Sequence, residues 1–270
     1  LSSSEKEKIF RPYFFKRNNS KNYCLLTELK NTNSDEFFQE LDLYGVPSLS
    51  TAEENSRHQA VSCATYSFSK DESLINKIWS DRKQSNSISK EDEETEYNKF
   101  ILSESERYFL RDAENEPFTY DFQLKSCHFK TETELFVYAI DILIERLDLL
   151  KGSFMNLLQD KETNIRVEKK NEILYHYLIN DEGHTIGNLI QSHIVRRCID
   201  KDSILSFCGY KKTHPLENII KIIVSINPEH KVMKENEQNK FQKVTVFIME
   251  QLDALKEDYK ILKKECEGSF

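Results

Sequence analysis

Between residues 132 and 159 apolar side chains return every third or fourth position: Phe136, Ile140, Leu143, Leu147, Leu150, Phe154 and Leu157. That period predicts one long helix with a continuous apolar stripe. Thr131 and Glu134 stand at the spacing of a capping box at its start. A second long helix is predicted at the end of the chain, where Phe241, Val244, Ile248, Leu252, Leu255, Tyr259 and Leu262 recur. Their spacing of about 3.5 residues suits packing along another helix as well as on a sheet. A shorter helix is expected through Ile186, Leu189, Ile190, Ile194 and Cys198. Alternating stretches at 118–129, 172–179, 204–210 and 218–227 read as strands. Residues 172–270 thus form one strand, helix, strand, strand, helix pattern.

The upstream part is patterned differently. Residues 1–68 hold short apolar runs separated by polar breaks, and 22–30, 36–44 and 61–68 suit strands, with the turn formers GVPS between the last two. From 69 to 116 the composition shifts to SDRKQSNSISKEDEETE, which reads as linker and loop, with the acidic run as a solvated face. Residues 161–171, almost wholly polar, read as a connector between 117–160 and 172–270.

Composition narrows the possible functions. The 270 residues suffice for two ordinary domains. With 38% hydrophobic and 31% charged residues, 17 Phe and 12 Tyr, the chain is too aromatic for disorder and too polar for a membrane protein. A net charge of -8 argues against a broad phosphate-neutralising surface, so nucleic acid is expected to be reached only through other proteins. No stretch approaches the ~20 apolar residues of a membrane span, and no signal-peptide core opens the chain. The six cysteines are scattered without a close CxxC pair, which predicts reduced thiols inside the cell rather than a zinc site. The chain opens on Leu1 rather than Met, which raises the expectation of a missing N-terminus.

The most informative residues are DEGHTIGNLI, 181–190, followed by FCGYKKTHPLE, 207–217. Asn180, Asp181 and Gly183 are turn formers, Thr185 or Asp181 can cap a helix start, and Gly187 with Asn188 leaves room for another backbone to approach. Gly209 and Tyr210 lead out of a strand, and Pro215 turns the chain back. His184 and His214 are read as hydrogen-bonded structural histidines. The competing reading is general acid–base work with Asp181 and Glu182, against which stands the lack of a nucleophile, a phosphate loop or a ligand cluster.

This segment resembles the small alpha-like subunit of archaeal and eukaryotic-type RNA polymerases, whose signature runs roughly D-H-T-L-G-N-L-L, then a helix, then G-Y-x-x-x-H-P-L. Residues 116–150 resemble more loosely the closing strand and helix of the larger alpha-like subunit, with Lys125 where that family often has Glu. Arg57, His58 and QAVSCATYSF resemble that subunit's return from its inserted domain. Both together, larger type first, match the fused polymerase subunits of several large DNA viruses.

The resemblance implies an α+β fold of two alpha-like dimerisation units, each a mixed or antiparallel sheet packed on helices. The first is expected to be incomplete at its N-terminus and to carry a β-rich inserted segment over 1–68. The implied function is a non-catalytic assembly platform that pairs its two halves and docks the large catalytic subunits and small assembly subunits, with DNA touched only indirectly. The competing use of the same fold is a scaffold for another assembly. No catalytic residue, cofactor, metal or membrane contact is expected. The implied location is intracellular: nucleus or cytoplasm, with a viral factory or virion for a viral source. The pairing surface is expected to use Thr185, Ile186, Gly187, Leu189, Ile190 and Ile194, joined by Phe241, Val244, Ile248, Leu252 and Leu255. Ordinary core is the competing role for each of these apolar side chains. His184, Asn188, Gly209, Tyr210, His214 and Pro215 are expected to hold the motif in shape.

Overall fold

A computed structural model describes residues 15–17, 20–22, 27–29, 39–46, 48–86, 88–89, 91–127, 130–199 and 202–268. They divide into two compact units, Leu1–Glu132 and Thr133–Phe270.

In the first unit two short strands, β1 (Phe15–Arg17) and β2 (Ser20–Asn22), pair antiparallel. A longer antiparallel ribbon joins β3 (Val61–Phe68) to β4 (Tyr120–Ser126). Both of the longer strands fall where alternation placed them. Residues 27–29 and 39–44, expected in strands, are irregular instead, and the rest of those two stretches, apart from Asn22 at the end of β2, lies outside the described residues. Glu40, Leu41, Asp42, Leu43 and Tyr44 are all exposed, so no buried face holds them in a strand register.

The stretch 69–116, expected as linker and loop, holds two helices instead, α1 (Glu72–Ser85) and α2 (Glu93–Glu104). Asp71 caps α1 by accepting the Leu74 N–H at 3.0 Å. The acidic run supplies Glu93, Glu94 and Glu96 to the first turn of α2, where negative charge meets the positive end of the helix dipole. Trp79 packs edge-on against Tyr97 and tilts over Phe100, and Ile75 and Phe100 are buried. Arg82 reaches Glu104 at 2.8 Å. Few apolar positions serve this small cluster, which is why its pattern reads as loop.

The second unit is a four-stranded antiparallel sheet with three helices. Its strands are β5 (Ile165–Lys169), β6 (Leu174–Asn180), β7 (Leu205–Lys212) and β8 (Ile219–Ile226), in the order β5-β6-β8-β7. The helices are α3 (Glu132–Leu158), α4 (His184–Cys198) and α5 (Glu237–Gly268). The three helices and the three strands predicted here are present, within three residues at every end except those of α5, which starts four residues before Phe241 and runs on past Leu262. The connector expected over 161–171 holds strand β5. Its Ile165 and Val167 share the inward face with Ile179 and Tyr177 across the ladder, while Arg166 and Glu168 face away. An edge strand with two apolar positions carries too little pattern to stand out.

Burial follows the strand period: Tyr175, Tyr177 and Ile179 on β6, and Ile220, Ile222, Val224 and Ile226 on β8, all face one core. Each helix contributes to it: Leu147, Leu150 and Phe154 from α3, Ile186, Ile190 and Ile194 from α4, and Val244, Ile248, Leu252 and Leu255 from α5. The buried Tyr177 hydroxyl shares a 3.0 Å hydrogen bond with Thr245 Oγ1, so neither polar atom is left unpaired. Antiparallel sheets packed on helices make the fold α+β.

Candidate functional site

The HTIGN and GY segments meet in space and lock α4 to β7. β6 gives way at Asp181, the residue after its end, whose φ of 62° is left-handed, a conformation that Asp tolerates better than most side chains. Gly183 then caps α4 with no side-chain bond. The expected cap from Asp181 or Thr185 is therefore corrected: Asp181 turns the chain, and Thr185 stands exposed inside the first turn. The Glu182 N–H instead donates to Asn218 O at 3.3 Å, and its carboxylate pairs with Arg146 of α3.

Gly187 answers to the ring of Tyr210. A Cβ there would lie 2.5 Å from Tyr210 Cδ2 and 3.0 Å from Cγ, so only glycine admits the ring at its present position. At Gly187 the expectation of room for another backbone is corrected in the same way: a side chain of this chain, Tyr210, fills the space. The Tyr210 N–H donates to Gln191 Oε1 at 2.9 Å, and its hydroxyl lies 3.3 Å from His184 Nδ1. His184 is thus a hydrogen-bonding partner of Tyr210. His214 Nδ1 accepts the Leu216 N–H at 3.2 Å and its carbonyl accepts from Glu217, which shapes the turn containing Pro215. Gly209 lies under the ring of Phe207, where a Cβ would meet it at 2.9 Å. Asn188, exposed, accepts from Ser192.

Of the residues expected to pair with a partner, Ile186, Gly187, Ile190, Ile194, Val244, Ile248, Leu252 and Leu255 are buried in this unit. Phe241 is half-buried and stacks on Tyr177. What reaches the surface is a groove of about 270 Å³ between α4 and α5, with Leu189, Leu255, Tyr259 and Leu262 as its apolar lining. Arg196, Arg197, His193 and Asp258 flank it, and Arg197 reaches Asp258 at 2.6 Å. Motif reading missed Tyr259, Leu262 and these flanking groups. The signal for the first two was present, since the terminal stripe runs on through 259 and 262.

His193 is nearly buried beside this groove. Burial first, then the Arg197 guanidinium, holds its pKa below the ordinary 6.5, opposed by Asp258 and a hydrogen bond with Gln251. The native state therefore binds fewer protons than the unfolded chain as pH falls through 6.5, and stability declines in that direction. Above that window the group contributes no slope. His176 is shifted in the same sense by burial, Lys221 and Lys170, so the expected result is a difference between variants. His193→Gln is expected to lose less melting temperature than wild type between about pH 7.5 and about pH 5.5, in thermal melts followed by circular dichroism.

Among the described residues no three His, Cys, Asp or Glu side chains converge as metal ligands. No described helix is long and apolar enough to cross a membrane.

Comparison with known proteins finds a similarity within this unit. Residues 175–267 match the RNA polymerase Rpb3/Rpb11 dimerisation domain. The match begins inside β6 and ends near the end of α5, so it covers the HTIGN–GY lock and the α4/α5 groove but neither α3 nor the first unit. A probable DNA-directed RNA polymerase II subunit RPB11 of Caenorhabditis briggsae is 38% identical over 64 residues, 24% of this chain and 48% of that protein. The chain thus spans about half the length of the curated relative it matches.

Proposed function

We propose that this chain is a non-catalytic subunit of a DNA-directed RNA polymerase, an assembly platform built from a larger alpha-like half followed by a small alpha-like half. The two halves pair within one chain and dock the large catalytic subunits together with small assembly subunits, with the apolar α4/α5 groove as part of the docking surface. DNA is engaged only through the complex, inside the nucleus or cytoplasm where that polymerase works.

The observation that carries this reading is the position of α3. Lying upstream of the matched domain, it inserts Leu147, Leu150 and Phe154 into the domain's core. It also runs along α5 through Lys151–Asp253 at 2.6 Å, Lys256–Asp148 at 2.6 Å and Lys263–Asp141 at 2.7 Å. Such partly exposed pairs are each worth under ~1 kcal/mol, so they set register while the apolar side chains supply the affinity. A helix from the larger-type segment packed on a small-type domain is what pairing of the two halves requires. Covalent linkage raises the effective concentration of one half around the other to the order of mM.

The test is affinity purification of the tagged chain from its native cells, followed by promoter-independent RNA synthesis on the eluate. Two very large subunits with RNA-synthesising activity are expected. An eluate without them assigns the dimerisation fold to a different assembly.

A further inference from the structure

Strand alternation gives the sheet of the C-terminal unit two unlike faces. Helices α3, α4 and α5 pack on the face that carries Tyr177, Ile222 and Cys208. The opposite face holds one row of side chains in register across all four strands: Arg166 on β5, Leu178 on β6, Lys221 on β8 and Lys211 on β7. At ~4.8 Å between strands the row spans about 14 Å. Glu168, His176, Ile223 and Gly209 form the neighbouring row. The Phe207 ring reclines over Gly209, where an added Cβ would meet its Cζ at 2.9 Å and its Cε1 at 3.2 Å. Phe207 is 51% exposed, so an aromatic plate lies along the open face beside the cations. Charge on this face is unbalanced. Lys170 reaches Glu168 at 2.8 Å and Lys221 reaches the same carboxylate at 3.7 Å, so one acid serves two lysines. Arg166 and Lys211 are exposed and have no acidic partner among the described residues. Glu172 and Glu217 stand in the turns at opposite ends of the sheet, outside both rows. Four cations facing one acid leave a local positive excess on a chain of net charge -8.

We propose that this face binds a short segment of single-stranded nucleic acid, with the Arg166, Lys221 and Lys211 row on its phosphates and the Phe207 ring under a base. A line of cations across a sheet suits a chain of regularly spaced negative charges. A half-exposed ring lying along the sheet offers its π-face to any base, a contact that an acidic peptide has no use for. The net charge of the whole chain argues against a broad phosphate-binding surface, and this face is a narrow one. It fits a few nucleotides of one strand and not a duplex, whose charge density calls for a wider basic surface. The inference goes beyond the polymerase reading, which gives this unit no nucleic-acid contact of its own, and does not rest on it.

The test is fluorescence anisotropy with the full chain at low salt. The probes are labelled oligouridylate and oligothymidylate, a duplex of the same length and an oligoglutamate peptide of matched charge. One or both single strands are expected to bind about tenfold or more tighter than the duplex and the peptide, and the preferred strand tells whether RNA or DNA is the ligand. Log affinity against log salt should fall with a slope near about -2, the value for roughly three phosphates on a single strand. Arg166→Gln and Lys211→Gln should each flatten that slope by ~0.7, whereas Lys231→Gln, an exposed cation off this face, should leave it unchanged. Phe207→Ala should weaken binding about fivefold or more and abolish the quenching of a 2-aminopurine placed in the strand. All four positions are exposed, so the fold is expected to survive, and thermal melts check it. No binding of either strand, equal binding of the duplex or the peptide, or an affinity unchanged by Phe207→Ala with a slope unchanged by Arg166→Gln and Lys211→Gln would each overturn the proposal.

Discussion

Phe154→Ala is expected to cost the C-terminal unit about 3–5 kcal/mol, the ordinary range for deleting a fully buried aromatic ring. Phe154 is 0% exposed, and its ring centroid lies 5.7 Å from that of Tyr177, itself fully buried on β6. Removing it leaves a void at the contact between α3 and the sheet, which the neighbouring Leu150 and the strands can close only in part. Thermal or denaturant unfolding of the C-terminal transition reads the loss, as a fall in melting temperature of roughly 10 °C or more. Leu149→Ala on the same helix provides the contrast. Leu149 is 67% exposed, so its loss is expected to shift stability by no more than ~0.5 kcal/mol in the absence of a partner. An equal response at the two positions would mean that α3 is not part of this core, and the argument for pairing through it would lose its basis.

Gly187→Val is expected to destabilise by about 2 kcal/mol or more, although valine forms helix better than glycine. The collision decides the sign, because the Tyr210 ring sits 2.5 Å from the new Cβ and is held at both ends, by Gln191 at its backbone and His184 at its hydroxyl. The same geometry predicts a reversal. With Tyr210→Ala already in place the space is empty, and Gly187→Ala should then stabilise α4 by up to ~1 kcal/mol through helix propensity alone. A double-mutant cycle in urea measures both terms. Additive effects would show that Gly187 is present for some reason other than the tyrosine.

Much of this could be read from residues, and the failures have identifiable causes. Helices α3, α4 and α5 and strands β6, β7 and β8 were legible because each buries one regular face, which prints its period on the chain, whereas β4 alternates with Tyr120 and Phe122 exposed. Strand β5 was not, because an edge strand in a polar stretch shows only Ile165 and Val167 to the core. Helices α1 and α2 were missed because their core is one tryptophan and a few side chains around Phe100, too little to outweigh a serine-rich and acidic composition. The motif residues were legible as a group but not in their roles. Glycine at 187 announces close approach without saying what approaches, and only the fold identifies Tyr210. Periodicity likewise picked out apolar residues at 186, 190, 194, 244, 248, 252 and 255 without separating those facing the domain's own sheet from the few, Leu189, Tyr259 and Leu262, that border the surface groove.

That separation makes the central claim testable without unfolding the protein. Leu262 is 37% exposed and outside the core cluster, whereas the half-buried Leu189 also packs against that cluster, so Leu262→Asp places charge in the groove with the core intact and Leu189→Asp does so with some loss of stability. The decisive measurement is the composition of complexes purified on wild type and on these two variants, by mass spectrometry of the eluate, at a temperature where thermal melts show all three folded. The account predicts that wild type carries the large polymerase subunits and that both folded variants lose them, since a charge in a desolvated contact costs on the order of 2 kcal/mol or more. Variants that retain the full set of large subunits, or a wild type that never carries them, would contradict it.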